Sequence, residues 1–207
     1  IGASNTVRKL ISLMGGGRLA RAAMPAETVT LVISDVIDDD VATIASGPTV
    51  ADRTRPEEAM RVLHRFDLWD HIPASVKQHL NEASLARPEY DSPERLLSST
   101  TRILGNNRMA VEAACQYAIQ QGYAVSVGDA LLRGEAREIG HRLAHQLMAH
   151  TGPRPHCYIY GGEPTVTVRG RGLGGRNQEL ALAAGLAMGG YRSDILLLSG
   201  GAGGVDG

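Results

Sequence analysis

The sequence predicts an α/β fold with a largely parallel sheet. Three observations lead there. Short β-rich apolar runs alternate with amphipathic runs of helical length. The run "ETVTLVISDV" at 27–36 is too continuously apolar for a half-exposed strand, so it reads as a strand buried on both faces. It then enters an acidic turn at Asp35, and parallel α/β sheets bind ligands beyond the carboxyl ends of their strands.

The elements follow in order. Residues 4–14 and 17–24 read as two short helices, broken by Gly15, Gly16 and Gly17. After the strand and its acidic turn, Thr54 and Glu57 have capping-box spacing with Pro56 in the first turn, which predicts a helix to about Phe66. A further helix begins near Pro73, and the polar stretch 86–99, with two prolines, reads as a loop. "RILG" at 102–105 is a strand, "NRMAVEAACQYAIQQG" a helix ending at Gly122, and "YAVSVG" a strand. "GEAREIGHRLAHQLMAH" is a helix with Ile139, Leu143 and Leu147 on one stripe. "HCYIYGG" and "TVTV" are strands, "NQELALAAGLAM" a helix and "DILLLSG" a strand. Gly152, Pro153 and Pro155 suggest a domain boundary between 1–150 and 154–207.

Composition narrows the function. The chain has 207 residues, 43% of them apolar, enough for a sizeable core, while aromatics are only 4%, so alanine, leucine and valine must do most of the packing. A net charge of -1 gives no electrostatic case for nucleic acid or an anionic membrane as a partner. No apolar run reaches about 18 residues, and no signal-peptide pattern is present. Cys115 and Cys157 lie far apart without metal spacing and read as buried free thiols in a reducing cytoplasm. A chain that opens on Ile1 and closes on "LLLSGGAGGVDG" reads as an internal fragment of a longer protein.

Four candidate sites emerge. In "SDVIDDDVATIASGPT", Asp35, Asp38, Asp39 and Asp40 repel one another unless solvent or a cation relieves them. Mg²⁺ is held through one or two carboxylates, waters and phosphates. A solvated acidic turn is the competing reading. "SGPT" adds hydroxyls and a glycine where backbone can approach a ligand.

The second site is "VTVRGRGLGGRNQELAL". Gly170, Gly172 and Gly175 fit the dinucleotide pattern, yet Asp194 lies at the wrong end of its strand to hold a ribose. Gly170 to Gly175 also fit the start of a Walker loop, but Arg176 and Asn177 replace its lysine and hydroxyl. Backbone amides at a helix start beside Arg169, Arg171 and Arg176 suit a phosphate or carboxylate; a solvated hairpin is the alternative.

The third site is Asn106 and Asn107, which either cap the following helix or touch a ligand. The fourth, His141 and His145, points away from the apolar stripe and reads as a solvated face. No serine-nucleophile motif is present.

These residues together resemble the glycerate kinase type-2 family, also called the MOFRL family, many of whose members carry the name hydroxypyruvate reductase. The resembling pieces are "NTVRKLIS", "GGRLAR", "LVISDV", "IASGPTV", "ILGNNRMAVEAA", "GEAREI", "GGEPTVTVRGRGLGGRNQELALA" and "GVDG", in family order over nearly the whole chain. The resemblance implies part of a larger Rossmann-like domain over 1–150, the start of a smaller α/β MOFRL domain over 154–207, and an active site in the cleft between them. It implies transfer of the γ-phosphoryl of ATP, with Mg²⁺, to the 2-hydroxyl of D-glycerate. Asp35 takes a metal or substrate role, with Asp39 as the second metal ligand, and Arg176 neutralises phosphate or substrate charge. Ser46, Gly47, Thr49, Asn107, Glu163, Gly174, Gly175, Asn177 and Asp206 become the binding residues. A homodimer is the assembly considered. The chain departs from the family at Gly15, where lysine is usual, at Ile37, Asp38 and Val41 in the acidic turn, and at Ala202 and Gly203, where a loop carboxylate is lost. Against the kinase stand a nicotinamide-dependent hydroxypyruvate reductase and a non-catalytic relative that binds a nucleotide or sugar acid.

Overall fold

The computed structural model describes residues 2–36, 38–85, 99–128, 131–189, 194–202, 204 and 206. It divides into two compact units, Ile1–Asn106 and Asn107–Gly207. The division falls at Asn106, earlier than the Gly152–Pro155 link. A strand at 124–127 pairs with one at 156–159, which joins the chain on both sides of that link.

In the first unit, α1 (Gly2–Ile11) and α2 (Arg18–Ala23) flank the triple glycine, as expected. β1 (Thr28–Ile33) pairs in parallel with β2 (Ser99–Gly105), and a bulge at Leu104 shifts the register so that Ile33 faces Gly105. The helices α3 (Pro56–Arg65) and α4 (Ala74–Leu85) pack with α1 around Leu10, Ala59, Leu63 and Leu80. The expected loop lies almost wholly in 86–98, outside the described residues.

Two expectations fail here. β1 is not buried on both faces among the described residues: Val29, Leu31 and Ile33 are exposed, while Thr28, Thr30 and Val32 alternate with them as half-buried positions and Thr30 bonds to Thr49 in the loop after β1. Nor does Thr54 cap α3. Its hydroxyl donates to Asp52 (2.7 Å), Arg55 occupies the cap position, and Pro56 starts the helix. Proline's fixed φ and missing donor suit that first position without a capping side chain.

In the second unit, α5 (Asn107–Gln120) leads to β3 (Ala124–Val127), which pairs in parallel with β4 (His156–Ile159). α6 (Ala136–Met148) buries Ile139 and Leu143, and the half-buried Leu147 follows on the same stripe. α7 (Arg176–Met188) lies against α6, with Leu180 completing a core of Ala136, Ile139 and Leu143. Two predicted strands do not form among the described residues. "TVTV" contributes a single bridge, Thr165 to Glu135, and Val168 is exposed. "ILLLSG" keeps the alternation of a strand, Leu197 inward and Leu196 and Leu198 outward, but no ladder joins it among the described residues. A period of two records which face is covered and carries no information about hydrogen-bond partners.

α6 and α7 approach closely at Gly140. A Cβ there would lie 3.0 Å from the Ala183 Cβ and 3.1 Å from the Ala184 nitrogen, and would run into the Leu180 carbonyl. Overpacking of this kind costs about 1–3 kcal/mol. Gly140→Ala is therefore expected to destabilise the protein by about that amount, read as a lower midpoint in chemical denaturation with an unchanged slope.

Candidate functional site

The acidic turn is less repulsive than its sequence suggests. The Ser34 amide donates to the Gly105 carbonyl (2.8 Å), which carries the β1–β2 contact one step further and leaves Asp35 exposed just beyond the strand end. Asp39 accepts a hydrogen bond from the Asn106 side chain (2.5 Å). Asp40 accepts from the Thr43 hydroxyl (2.6 Å) and the Ala42 amide (3.1 Å), and the Thr43 bond above all holds its carboxyl below the usual range. Asp39 and Asp40 thus each have their own donors. Among the described residues, no three His, Cys, Asp or Glu side chains gather where they could hold a metal. Mg²⁺ does not need such a cage, since waters and phosphates supply most of its shell. The exposed carboxylate of Asp35 and the half-buried one of Asp39 are hard oxygen donors of the type it takes.

"IASGPT" is a strained loop. Ala45 (φ 50°), Ser46 (φ 65°) and Gly47 (φ 57°) are all left-handed, and only the last is free of a Cβ penalty. Gly47 has a second reason: a Cβ there would lie 2.8 Å from the Ala42 carbonyl oxygen. Such strain persists only where the surroundings over-determine it, and it clusters at functional sites. The surroundings here are explicit. The Ser46 hydroxyl, 4% exposed, donates to the Asn5 side-chain oxygen (3.2 Å), and the Asn5 amide donates to the Thr43 carbonyl (3.1 Å). The Ser46, Gly47 and Pro48 carbonyls accept from the amides of Gly16 (2.9 Å), Gly17 (2.8 Å) and Leu19 (3.1 Å). Thr49 shares a 2.6 Å hydrogen bond with Thr30, and its carbonyl accepts from the Ser99 hydroxyl (2.9 Å). Both hydroxyls read as ligand contacts, Ser46 and Thr49, therefore have internal partners as well.

Behind this loop, Lys9 and Asp52 form an ion pair at 3.3 Å, their side chains 11% and 13% exposed. The same Asp52 oxygen accepts the Thr54 amide (3.1 Å) and hydroxyl. Neither residue stood out in the sequence, because partners 43 positions apart leave no local pattern. Removing one member of a buried pair strands the other. Asp52→Ala is expected to cost about 3 kcal/mol of stability by equilibrium denaturation.

In the second unit, Arg176 is the first residue of α7 and pairs with Glu163 at 2.7 Å. Glu163 is itself anchored, since its amide donates to the Leu132 carbonyl (3.0 Å). The Asn107 carboxamide packs against the Cα of Gly161. A Cβ on Gly174 would meet no close neighbour among the described residues, whereas one on Gly175 would lie 2.6 Å from the Asp206 Cγ. What approaches Gly175 is thus the chain's own Asp206. One Asp206 oxygen accepts from the Asn177 backbone amide (3.0 Å) and side-chain amide (2.9 Å), and the other accepts from the Gln178 amide (2.9 Å). The Asn177 side-chain oxygen accepts from the Ser199 hydroxyl (2.7 Å). The Asn177 amide bond, more than any other contact, holds the Asp206 carboxyl below its usual range.

The structure brings Glu163 to Arg176, and Asp206 to Gly175 and Asn177, in one unit. Asp35, Asp39, Ser46, Gly47 and Thr49 belong to the other. Arg169 lines a pocket of about 130 Å³ with Arg137, Glu135, Glu138, Glu179 and Thr167, where three carboxylates offset the two guanidiniums. There Glu135 accepts from the Thr167 hydroxyl (2.5 Å). His141 and His145 are exposed, as their spacing implied.

The Asp206 bonds have a definite pH dependence. A carboxyl depressed by hydrogen bonding contributes stability above its unfolded value, about 3.9, and loses it as pH falls through the lower folded value. The Asn177 and Gln178 amide resonances are expected to titrate together with a midpoint below pH ~3.9. Titration at or above that value would contradict the assignment.

Comparison with known proteins adds the following. The family described as "Domain of unknown function (DUF4147)" matches residues 1–81, and the MOFRL family matches residues 156–207. A glycerate kinase from Bos taurus is 34% identical over 249 aligned residues, covering 98% of this chain and 47% of its own length. A glycerate 2-kinase from Pyrococcus horikoshii is 37% identical over 186 residues, covering 87% of this chain and 42% of its own. The crystal structure of a glycerate kinase from Thermotoga maritima superimposes with a TM-score of 0.71 at 34% identity, over 90% of this chain and 44% of that one. The chain spans about half the length of the curated relatives it matches.

Proposed function

The chain belongs to the glycerate kinase type-2 (MOFRL) family, and from that premise we propose that the full-length protein transfers the γ-phosphoryl group of ATP to the 2-hydroxyl of D-glycerate. The products are ADP and 2-phosphoglycerate, and the hydroxyl proton is released. Relatives named glycerate kinase that are 34% and 37% identical over 98% and 87% of the chain carry the reading. The arrangement at α7 supports it chemically.

Phosphoryl transfer needs mainly positioning and charge neutralisation. Arg176 supplies a guanidinium at a helix start, and Glu163 holds it at 2.7 Å. A fork of donors on a fixed base suits a phosphate or a carboxylate. Asn107, Gly174 and Asn177 complete our assignment on this side; Ser46, Gly47 and Thr49 do so in the first unit. Asp35, with Asp39, would hold Mg²⁺, which supplies charge neutralisation at the ATP phosphates when bound. The match within 1–81 and the MOFRL match from residue 156 support parts of two domains of the longer protein, which we divide at Asn106 and not between 150 and 154, because β3 and β4 share a ladder.

Among the described residues, no helix is long and apolar enough to cross a membrane. Cys115 and Cys157 are free thiols, half-buried where full burial was expected, and their being unpaired favours a reducing, cytoplasmic setting within the same proposal. A nicotinamide-dependent reductase is not favoured: the relatives above bear kinase names, and Asp194, the residue a ribose would need, is paired with Arg154.

A coupled ADP-release assay on the full-length protein with D-glycerate is expected to show turnover. A folded protein without turnover would reject the proposal. Arg176→Ala is expected to lower kcat/KM at least about tenfold, or about 1.4 kcal/mol. An unchanged value would remove Arg176 from its role.

A further inference from the structure

Helix α7 starts without a side chain of its own to cap it. Gly175 occupies the cap position, and glycine has no oxygen to offer the amides of the second and third helical residues. Those residues are Asn177 and Gln178, and Asp206 serves both amides from 28 or more positions away. Gly175 is extended at φ -170°, a conformation open to any residue, so conformational freedom does not explain it. Space does: a Cβ there would lie 2.6 Å from both the Cγ and the carbonyl oxygen of Asp206. A second clasp, Ser199 to the Asn177 side chain, ties the same segment to the same turn. The two amide bonds and the space at Gly175 thus place a carboxylate of this chain where an anionic ligand of α7 would otherwise sit.

We infer that Asp206 is a positioning residue: it caps α7 in place of a ligand and fixes the point from which Arg176 projects. The consequence concerns how the ligand is held. With the α7 amides occupied, an incoming phosphate or carboxylate is met by the Arg176 guanidinium, and the helix start serves it only through Arg176. Gly175 is then required by Asp206, not by close approach of substrate. This inference rests on the kinase reading for the role of Arg176, and on geometry alone for the cap.

The test uses the full-length protein and two readouts. Asp206→Asn loses one of the two carboxylate acceptors, and Gly175→Ala crowds the seat. Each is expected to lower hydrogen-exchange protection of the Asn177 and Gln178 amides by about tenfold, and to shift the Arg176 side-chain Nε–H resonance. Protection and resonance both unchanged in folded variants would overturn the inference. A double-mutant cycle on kcat/KM then separates positioning from ligand contact. Asp206→Asn is expected to cost about tenfold in the native background and less than about twofold beside Arg176→Ala. Equal losses in the two backgrounds would mean that Asp206 touches the ligand itself, and would overturn the positioning role. If the native protein shows no turnover with D-glycerate, the kinase reading fails. The exchange and Arg176 resonance measurements still decide the inference in that case.

Discussion

Backbone laid directly against backbone at Gly140 is the contact on which the second unit depends. The Leu180 carbonyl and the Ala184 amide of α7 come so close to α6 that no side chain fits between them. That crossing sets the height and direction of α7. Arg176, at the first turn, inherits its position from it. The core residues Ile139, Leu143 and Leu180 fill the space on either side, so the apolar stripe supplies the driving force while the glycine decides the distance.

The first unit solves a related problem with hydrogen bonds. The turn at 15–17 donates its amides to the carbonyls of 46–48, and Gly47 lies close to Ala42. Two non-glycine residues are held left-handed in that loop, and the bonds from Asn5 to Thr43 and from Ser46 to Asn5 help keep them there. Polar side chains that resemble ligand-binding groups thus also act as braces. The same holds at α7, where Asn177 bridges Asp206 and Ser199.

Much of this was legible in the residues. Helix boundaries at the triple glycine and at Pro56 were readable because glycine and proline act through local backbone geometry. The stripe of Ile139 and Leu143 was readable because helical periodicity is local too. The partner of Arg176 was not, because Glu163 lies 13 positions earlier across an irregular segment. The strand expected at 165–168 failed for the same reason: a strand requires a neighbour, and alternation does not name one.

The sequence by itself determined the class of the fold, the order of its helices, the presence of an arginine-bearing turn before a helix and, through its motifs, a family. Those properties live in spacings of a few residues. Only the tertiary structure decided that the amides after that turn are taken by Asp206, that Glu163 holds Arg176, and that Ser46 and Thr49 have partners within the chain. Each is a meeting of groups distant in sequence, and hydrogen bonding between such groups is set by where the packed elements bring them, not by which residues stand beside them in the chain.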